Sequence, residues 1–250
     1  MSVTDPYDTI SPYHRWGPFV VPVSKLRRVL HAPGRMTDVT MQVGPSGRVQ
    51  SVTAVGSEGE STMTGSDLRR ALNLRSTWFR VGVLSLATPQ APVTYGKNVA
   101  LSGVARRLPA VRLDQRQPGT PWEQVRPISP GPGGSVNVSA KPRVPTDYRL
   151  VSGAARSAIA HVSVAPLLRF HGMPDASTLR GFARPLFPGG SVALQRFDGA
   201  RWKTIARATI DQNGDFQAHV NLTPGQYRAR LAPGRGYVPG VSPTLTVGPA

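Results

Sequence analysis

The residue types that most often carry out chemistry in proteins are sparse and scattered in this chain. Its five histidines, His14, His31, His161, His171 and His219, include no pair at the HxH or HExxH spacing that metal sites use. There is no cysteine, which excludes disulfides, thiolate catalysis and zinc–thiolate sites. The sequence therefore predicts no catalytic residue, no metal ligand and no cofactor site.

Two acidic motifs suggest a function but have a simpler interpretation. Glu58 and Glu60 lie two residues apart in "GSEGEST", which would place both on one face of a strand, but the flanking glycines favour a loop. "DQNGDF" (211–216) begins like a calcium loop, yet it lacks the glycine at the sixth position and the glutamate at the twelfth. Its place between two strand-like segments favours a hairpin turn.

The charge of the chain is its strongest compositional signal. Lys and Arg number 30 against 13 Asp and Glu, which gives a formal net charge of +17. Two explanations stay open: the Arg-, Ala-, Pro- and Gly-rich usage of a GC-rich genome, or an anionic partner such as nucleic acid, a teichoic-type polymer or a membrane surface. The Arg residues are scattered without interleaved aromatics, which favours a generally basic surface over a nucleic-acid groove. We therefore predict no nucleic-acid partner.

The sequence shows no membrane or export signal. No apolar run reaches the roughly 18 residues of a membrane span, so no transmembrane segment is predicted. The start, "MSVTDPYDTISPYHRW", lacks the basic and apolar regions of a signal peptide. Because it reads like the middle of a domain, we expect a truncated N-terminus.

The first third of the chain mixes helix and strand patterns. Apolar and polar residues alternate on both sides of "GPSG", which predicts a β-hairpin. Residues 64–72 predict a short helix with Ser66 as N-cap and with Asn73 in the left-handed conformation at its end. A strand is expected over residues 75–83, where apolar side chains alternate with polar ones.

The rest of the chain is an internal repeat. "ALSGVARRLPAVRLDQRQPGTPWEQV" (100–125) matches "TLRGFARPLFPGGSVALQRFDGARWKTI" (178–205), and "PTDYRL" (145–150) matches "PGQYRA" (224–229). Short alternating segments separated by Gly/Pro/Asp turns predict a small antiparallel β-sandwich for each copy. "TPQAPVTYG" (88–96) and "VAPLLRFHG" (164–172) are interpreted as linkers.

Each copy carries one Trp and one Tyr at matching positions. Trp122 corresponds to Trp202, and Tyr148 corresponds to Tyr227. We interpret all four as core or corner residues of an immunoglobulin-like (Ig-like) fold, because buried aromatics of this kind are typical of such sandwiches.

Three segments in the first third resemble one known family. "SPYHRW" (11–16), "GPSGRVQSVTAVGSEGE" (44–60) and "TGSDLRRALNLRSTWF" (64–79) are similar to the C-terminal part of the stage II sporulation protein D/LytB family, also described as amidase enhancers. The family segment reads S-G-x-x-F-R-x-x-L-G-L-R-S-T-x-F. The matched positions here are Gly65, Leu68, Arg69, Leu72, Asn73, Leu74, Arg75, Ser76, Thr77 and Phe79. Asn73 stands where glycine is usual.

The resemblance implies cell-wall biology. It points to lytic cleavage of peptidoglycan glycan strands, or to activation of an N-acetylmuramoyl-L-alanine amidase, in sporulation or wall remodelling. It also implies an extracellular or wall-associated location. The family's acidic catalytic residue and its GHGxGxSQ-type motif have no counterpart in this chain, so we favour a role without catalysis.

The resemblance also names partners and contact residues. Peptidoglycan or anionic wall polymers are the expected partners, and a cell-wall amidase is a further candidate. The candidates for contacts to such a ligand are His14, Arg15, Trp16, Arg75, Ser76 and Thr77. The last three either face a groove or have a structural role.

The predicted fold class is mainly β. A partial α+β segment, like the C-terminal part of that family, covers residues 1–87, and two tandem Ig-like antiparallel β-sandwiches cover residues 92–165 and 170–250. The leading function is a wall-associated protein whose sandwiches bind the wall or act as spacers. The alternative is a non-enzymatic adhesion or carbohydrate-binding protein that contacts its ligand through exposed Trp122 and Trp202. Burial of these two side chains would count against that alternative.

Overall fold

The chain forms three successive hydrophobic cores. The computed structural model describes residues 16–175 and 177–248. An α+β unit comes first, and two β-sandwiches follow it, each with its own buried cluster. The prediction of a mainly β fold with antiparallel sandwiches is confirmed. Within the described residues, neither helix has the length and apolar character needed to cross a membrane.

The α+β unit combines a three-stranded sheet with two short helices. Its elements are α1 (Val23–Leu30), β1 (Met36–Val43), β2 (Val49–Gly56), β3 (Gly59–Thr64) and α2 (Gly65–Leu72). The sheet is antiparallel in the order β1-β2-β3, and the predicted hairpin is confirmed as β1 and β2. Its core packs Leu30 and Leu68 of the helices against Val39 and Val52 of the strands.

Helix α2 begins and ends at polar residues. Thr64 precedes it in extended backbone, and its Oγ1 accepts a hydrogen bond from the Asp67 N–H at 3.1 Å. The prediction of Ser66 as N-cap was wrong, because Thr64 is the last extended residue and Ser66 lies inside the first turn. Asn73 ends the helix with a φ of 54°, as predicted, since asparagine tolerates the left-handed region.

The strand predicted over residues 75–83 does not form. Strand β2 is paired with β1 on one side and β3 on the other, so the segment cannot pair with β2, and it does not join the outer edge of β1 or β3 either. It makes single contacts instead: the Val49 N–H donates to the Thr77 carbonyl at 2.9 Å, and Trp78 Nε1 donates to the Ser46 carbonyl at 3.0 Å.

The first sandwich consists of a three-stranded and a five-stranded sheet. Its strands are β4 (Val83–Leu86), β5 (Val93–Thr94), β6 (Val99–Arg106), β7 (Arg112–Arg116), β8 (Glu123–Pro127), β9 (Ser135–Ala140), β10 (Thr146–Ser152), β11 (Ala155–Arg156), β12 (Ala160–Val162) and β13 (Val164–Ala165). One sheet runs β4-β6-β9; the other runs β11-β10-β7-β8, with β12 also paired to β10. Strand β5 pairs with β13 in parallel. The two antiparallel sheets together form an Ig-like sandwich.

The second sandwich repeats the two antiparallel sheets of the first, without a counterpart of the β5–β13 pair. Its strands are β14 (Leu167–Asp175), β15 (Thr178–Arg184), β16 (Ser191–Phe197), β17 (Trp202–Thr209), β18 (Asp215–His219), β19 (Gly225–Leu231), β20 (Gly240–Val241) and β21 (Leu245–Val247). One sheet runs β14-β15-β18; the other runs β17-β16-β19-β20, with β21 also paired to β19.

A close backbone contact at equivalent glycines, Gly103 and Gly181, supports the predicted repeat. A Cβ on Gly103 would lie 2.1 Å from the carbonyl oxygen of Ser85, and one on Gly181 would lie 2.4 Å from that of Arg169. In both copies the glycine therefore lets the second strand approach the backbone of the first, which no other residue allows without a shift.

A buried serine marks the last strand connection in both copies. Ser157 Oγ accepts a hydrogen bond from the Leu150 N–H, and Ser242 Oγ accepts one from the Ala229 N–H, each at 2.9 Å. These serines satisfy a backbone donor that the neighbouring edge strand leaves open.

The two tyrosines are core residues, as predicted. Tyr148 is 2% exposed and Tyr227 is 1% exposed. Tyr227 also forms a corner, because its hydroxyl donates to the Thr223 carbonyl at 2.7 Å and accepts from the Thr223 N–H at 3.0 Å. Burial raises the pKa of Tyr148, since the phenolate form would lose its hydration.

The predicted linkers contain strands of the sandwiches. Residues 88–96 contain β5, residues 164–172 contain β13 and most of β14, and only Pro166 separates β13 from β14. The linker interpretation was wrong because Val93 and Val164 are buried and their parallel pairing closes the first sandwich.

"DQNGDF" forms the predicted turn, but the turn does not close a hairpin. Asp211 Oδ1 accepts hydrogen bonds from the N–H groups of Asn213 and Asp215, each at 2.8 Å. The strands on its two sides, β17 and β18, belong to different sheets. The turn therefore carries the chain from one layer of the sandwich to the other.

Polar contacts join the α+β unit to the first sandwich. Arg106 of β6 donates to both carboxylate oxygens of Asp38, at 2.7 and 3.1 Å. Ser85 Oγ donates to the Thr37 carbonyl at 3.1 Å. Asp38 and Thr37 both lie on β1. These bonds therefore hold β1 against the β4-β6-β9 sheet of the first sandwich.

One tyrosine joins the two sandwiches. Tyr237 packs against both hydrophobic cores, and its ring meets Phe187 edge-on with 5.3 Å between centroids. Its hydroxyl donates to the Arg143 carbonyl of the first sandwich at 2.9 Å. Pro166 alone separates the last strand of the first sandwich from the first strand of the second. The two sandwiches are therefore joined both by this short connection and by the packing of Tyr237.

Candidate functional site

Three of the predicted contact residues come from the N-terminal segment. His14 and Arg15 lie outside the described residues. Trp16 is half-buried and packs against Phe19 with 6.0 Å between ring centroids. Its predicted contact to a ligand stays a prediction.

The other three lie on the loop after α2, beside the β1–β2 turn. Ser76 Oγ accepts a hydrogen bond from the Trp78 N–H at 2.9 Å, and Thr77 Oγ1 accepts one from Arg48 at 3.2 Å. Trp78 is 53% exposed, and the Arg48 guanidinium lies 5.1 Å from its ring centroid. Arg75 is exposed on the same loop. These hydrogen bonds hold the loop against the turn, and the ligand contacts of its residues stay a prediction.

Five aspartates of the described residues form ion pairs with basic side chains of the same protein. No cluster of His, Asp or Glu suited to a metal ion is found among the described residues. Ion pairs join Asp38 to Arg106, Asp67 to Arg70, Asp114 to Arg112 and Arg149, Asp147 to Arg116 and His161, and Asp198 to Arg201 and Lys203. The basic residues still outnumber the acidic ones by more than two to one, so the surplus positive charge faces solvent.

Trp122 lies on the outer surface of the first sandwich, not in its core. The guanidinium groups of Arg149 and Arg116 lie 3.9 and 4.8 Å from its ring centroid. The core prediction was wrong because Trp122 leads into β8, an edge strand whose five residues are all exposed. The indole therefore packs outside, against β7 and β10, while Leu113 and Leu150 fill the space between the sheets.

Trp202 occupies the same position in the second sandwich. The Arg228 guanidinium lies 4.2 Å from its ring centroid, and the Phe197 ring lies 5.4 Å away. Gln195 Oε1 accepts a hydrogen bond from Arg228 Nε at 2.8 Å. The core prediction was wrong for Trp202 too, although the equivalence of the two tryptophans is confirmed.

The covered indole rings weaken the carbohydrate-binding alternative. Sugar rings stack on open aromatic faces, whereas Arg149 and Arg228 lie over these two rings. A sugar would have to displace a guanidinium that is already held by Asp114 or Gln195.

The two sandwiches differ in the charge beside these stacks. We call the outward side of β7, β8 and β10 the first face, and the outward side of β16, β17 and β19 the second face. In the first face, Asp114 is paired in the ladder with Arg149. In the second face, Gln195 is paired with Arg228. A carboxylate on the first face is thus an uncharged amide on the second.

A second carboxylate is replaced in the same way. Asp147 precedes Tyr148 and binds Arg116 at 2.7 Å and His161 at 2.8 Å. Gln226 stands at the corresponding place before Tyr227. Comparison of the two repeats position by position would have revealed both replacements, but the sequence does not show that these residues share a face with Arg228.

Charge and burial shift the ionisation of groups on both faces. Burial alone would raise the pKa of Asp147, but the hydrogen bonds and charges of Arg116 and His161 outweigh it and hold this pKa below its usual value. On the second face, burial and the nearby Arg230 guanidinium lower the pKa of Arg228. The second face thus concentrates positive charge without a compensating carboxylate.

The fold and these surfaces define a class: a tandem Ig-like β-sandwich protein with an α+β unit at its N-terminal side. No protein-family model matches the chain, and no curated protein matches it. Similar solved structures include the "Human OSCAR ligand-binding domain", with 18% identity, 66% of this chain and 97% of that chain covered, and a TM-score of 0.25.

Two further solved structures show the same level of similarity. A chimeric titin Z1Z2-Z1Z2 tandem carrying an exogenous fibronectin peptide has 17% identity over 65% of this chain and 96% of that chain, with a TM-score of 0.25. A biofilm associated protein, BSP domain, has 14% identity over 84% of this chain and 45% of that chain, with a TM-score of 0.27. At these TM-scores nothing about the function of this chain follows from the likeness.

Proposed function

We propose that this protein attaches to the bacterial cell wall without catalysing a reaction, and that anionic wall polymers are its ligands. The observation that carries the proposal is the surplus of 30 basic over 13 acidic residues, together with the engagement of Asp38, Asp114, Asp147 and Asp198 in internal ion pairs. The guanidinium groups left over are directed to solvent and suit phosphate or carboxylate groups.

The binding that we propose is a sum of many weak contacts. An exposed ion pair contributes about 0.2–1 kcal/mol and is screened within about 8 Å at physiological ionic strength. A long polyanion can make several such contacts at once, so affinity for a polymer exceeds affinity for a single anion. The expected signature is strong dependence on salt.

The α+β unit would supply the link to wall metabolism. The similarity of residues 64–79 to the stage II sporulation protein D/LytB family supports a location outside the cell and a role in peptidoglycan remodelling. The Asp38–Arg106 contact would hold this unit on the first sandwich. In this arrangement the sandwiches bind the wall and present the unit to peptidoglycan or to a partner amidase.

Sedimentation with purified cell walls tests the proposal. The protein is mixed with intact walls and with walls stripped of anionic polymers, at salt concentrations from 20 mM to 1 M. We expect retention on intact walls that falls steeply with salt, and weak retention on stripped walls. Equal retention on both walls at every salt concentration would contradict the electrostatic mechanism and favour stereospecific glycan recognition.

A second measurement tests the absence of catalysis. Peptidoglycan is incubated with the purified chain, and soluble muropeptides are followed by chromatography, with a lytic enzyme as positive control. We expect no release of anhydromuropeptides above the level of buffer alone. Steady release in proportion to protein concentration would show that the chain is an enzyme.

A further inference from the structure

The second face carries three Arg side chains in adjoining positions. The antiparallel ladders place Arg207, Ala193 and Arg230 side by side across β17, β16 and β19. Residues directly opposite in a ladder share one face, and Ala193 is absent from the core cluster of this sandwich. Arg207 and Arg230 therefore project outward from the two strands on either side of a small residue.

Arg228 extends this group along β19. It lies two residues before Arg230, on the same side of the strand, at about 7 Å along the chain. Arg207 and Arg230 are two strands apart, at about 10 Å. The cationic groups thus spread over a flat surface instead of converging on one point.

The second face has no carboxylate of its own. Strands β16, β17 and β19 contain neither Asp nor Glu. The acidic residues next along the chain are Asp198 in the β16–β17 turn, which is bound to Lys203 at 2.8 Å, and Asp211 after β17, whose Oδ1 accepts two backbone hydrogen bonds. At equivalent places on the first face, Asp114 and Asp147 compensate the arginines. The comparison within one chain shows that an Ig-like sheet of this type tolerates carboxylates there and that the second sandwich lacks them.

We propose that the second face is the docking site of a wall polymer built from phosphodiester-linked units, an inference that rests on the proposed function. A guanidinium group binds phosphate oxygens through two parallel N–H donors. A linear polymer with one negative charge per unit matches charges spread over a flat sheet, whereas a small anion would need a converging site. The Trp202 ring is covered by Arg228, so this face lacks the open stacking surface that single-stranded nucleic acids use.

Binding of purified poly(glycerol phosphate) to the full chain tests this site. The test variant is Arg207→Gln with Arg230→Gln, which leaves the Trp202–Arg228 stack intact. The control variant is Arg169→Gln with Arg180→Gln, which removes the same charge from exposed positions of the opposite sheet of the same sandwich. We expect the test variant to weaken binding about three- to thirtyfold at 50 mM salt, and the control variant to weaken it less than about twofold.

The Arg→Gln variants could also lose affinity because they misfold. A substitution on the first sandwich that raises the affinity for the polymer excludes that explanation. Asp147→Asn removes the half-buried carboxylate that the second face lacks, and we expect it to tighten polymer binding about two- to fivefold. The reverse change, Gln226→Asp, places a carboxylate on the second face and should weaken binding by a similar factor.

The outcomes separate this inference from the proposed function. If intact walls retain the protein in a salt-dependent way but both double variants bind the polymer equally, the site is wrong while wall binding stands. If the protein binds neither walls nor polymer, the proposed function itself fails. Tighter binding to single-stranded DNA than to poly(glycerol phosphate), with the same dependence on Arg207 and Arg230, would also overturn the assignment, because the ligand would then be a nucleic acid.

Discussion

Replacing Trp202 by Ala should cost far less stability than replacing Tyr227 by Ala, although both are aromatic residues of the same sandwich. Trp202 lies on the outer surface, where it contacts Arg228 and Phe197. The cation–π contact contributes about 0.5–1 kcal/mol and the aromatic pair about 0.5–1.5 kcal/mol. We therefore expect Trp202→Ala to lower the free energy of unfolding by about 1–2.5 kcal/mol.

Tyr227 is buried in the core, so its removal leaves a cavity. Large aromatic side chains in cores cost about 3–5 kcal/mol when truncated to Ala, and the loss of the hydroxyl contacts to Thr223 adds about 1 kcal/mol. The expected difference between the two variants is thus at least about 1.5 kcal/mol, which is more than about a tenfold change in the unfolding equilibrium.

Native-state hydrogen exchange measures each sandwich separately, which bulk denaturation of a multi-domain chain does not. The amides of Leu194 and Ala229 report on the second sandwich, and that of Leu150 reports on the first. Trp122→Ala is the matched variant and should destabilise the first sandwich by about the same amount as Trp202→Ala does the second. The reasoning is refuted if Trp202→Ala costs as much as Tyr227→Ala, because that would place the indole in the core.

Three further outcomes are expected. Gly181→Ala should destabilise the second sandwich by about 2 kcal/mol or more, because its Cβ would lie 2.4 Å from the Arg169 carbonyl oxygen; hydrogen exchange of that sandwich measures the loss. Tyr237→Phe should weaken the junction of the two sandwiches by about 1 kcal/mol, since the bond to the Arg143 carbonyl is lost; limited proteolysis near the junction should then become faster. The lowered pKa of Asp147 means that its stabilising contribution is present above pH 3.8 and is lost as the pH falls through the lower folded value; Asp147→Asn should flatten the acid side of a stability–pH curve, and an unchanged curve would contradict this.

Local signals in the sequence predicted the elements whose structure depends on near neighbours. The "GPSG" hairpin and the left-handed Asn73 follow from turn and cap chemistry that a few residues decide. The repeat and the burial of Tyr148 and Tyr227 follow from matching patterns in the two copies, because both copies bury the equivalent tyrosine in their cores.

Other features depend on which surfaces the sheets present to each other, and the sequence did not reveal them. An indole at a strand end packs either inside or outside, and the position of β8 at the sheet edge decided in favour of the outside for Trp122. Residues 75–83 alternate like a strand, but alternation does not specify a partner strand, and only Val83 pairs, as the first residue of β4. The second face likewise emerges only when the ladder brings Arg207 and Arg230 to either side of Ala193.

The single residue Pro166 between β13 and β14 has a consequence for avidity. A flexible linker lets two modules search for their contacts, and the effective concentration of the second module then falls gradually with linker length. Here a proline connection and the shared Tyr237 packing hold the two sandwiches at one separation. Under the proposed function, a polymer bound to one sandwich would reach the other only if the spacing of its charged units matched that separation, so the tandem would select ligands by the period of their charges as well as by their number.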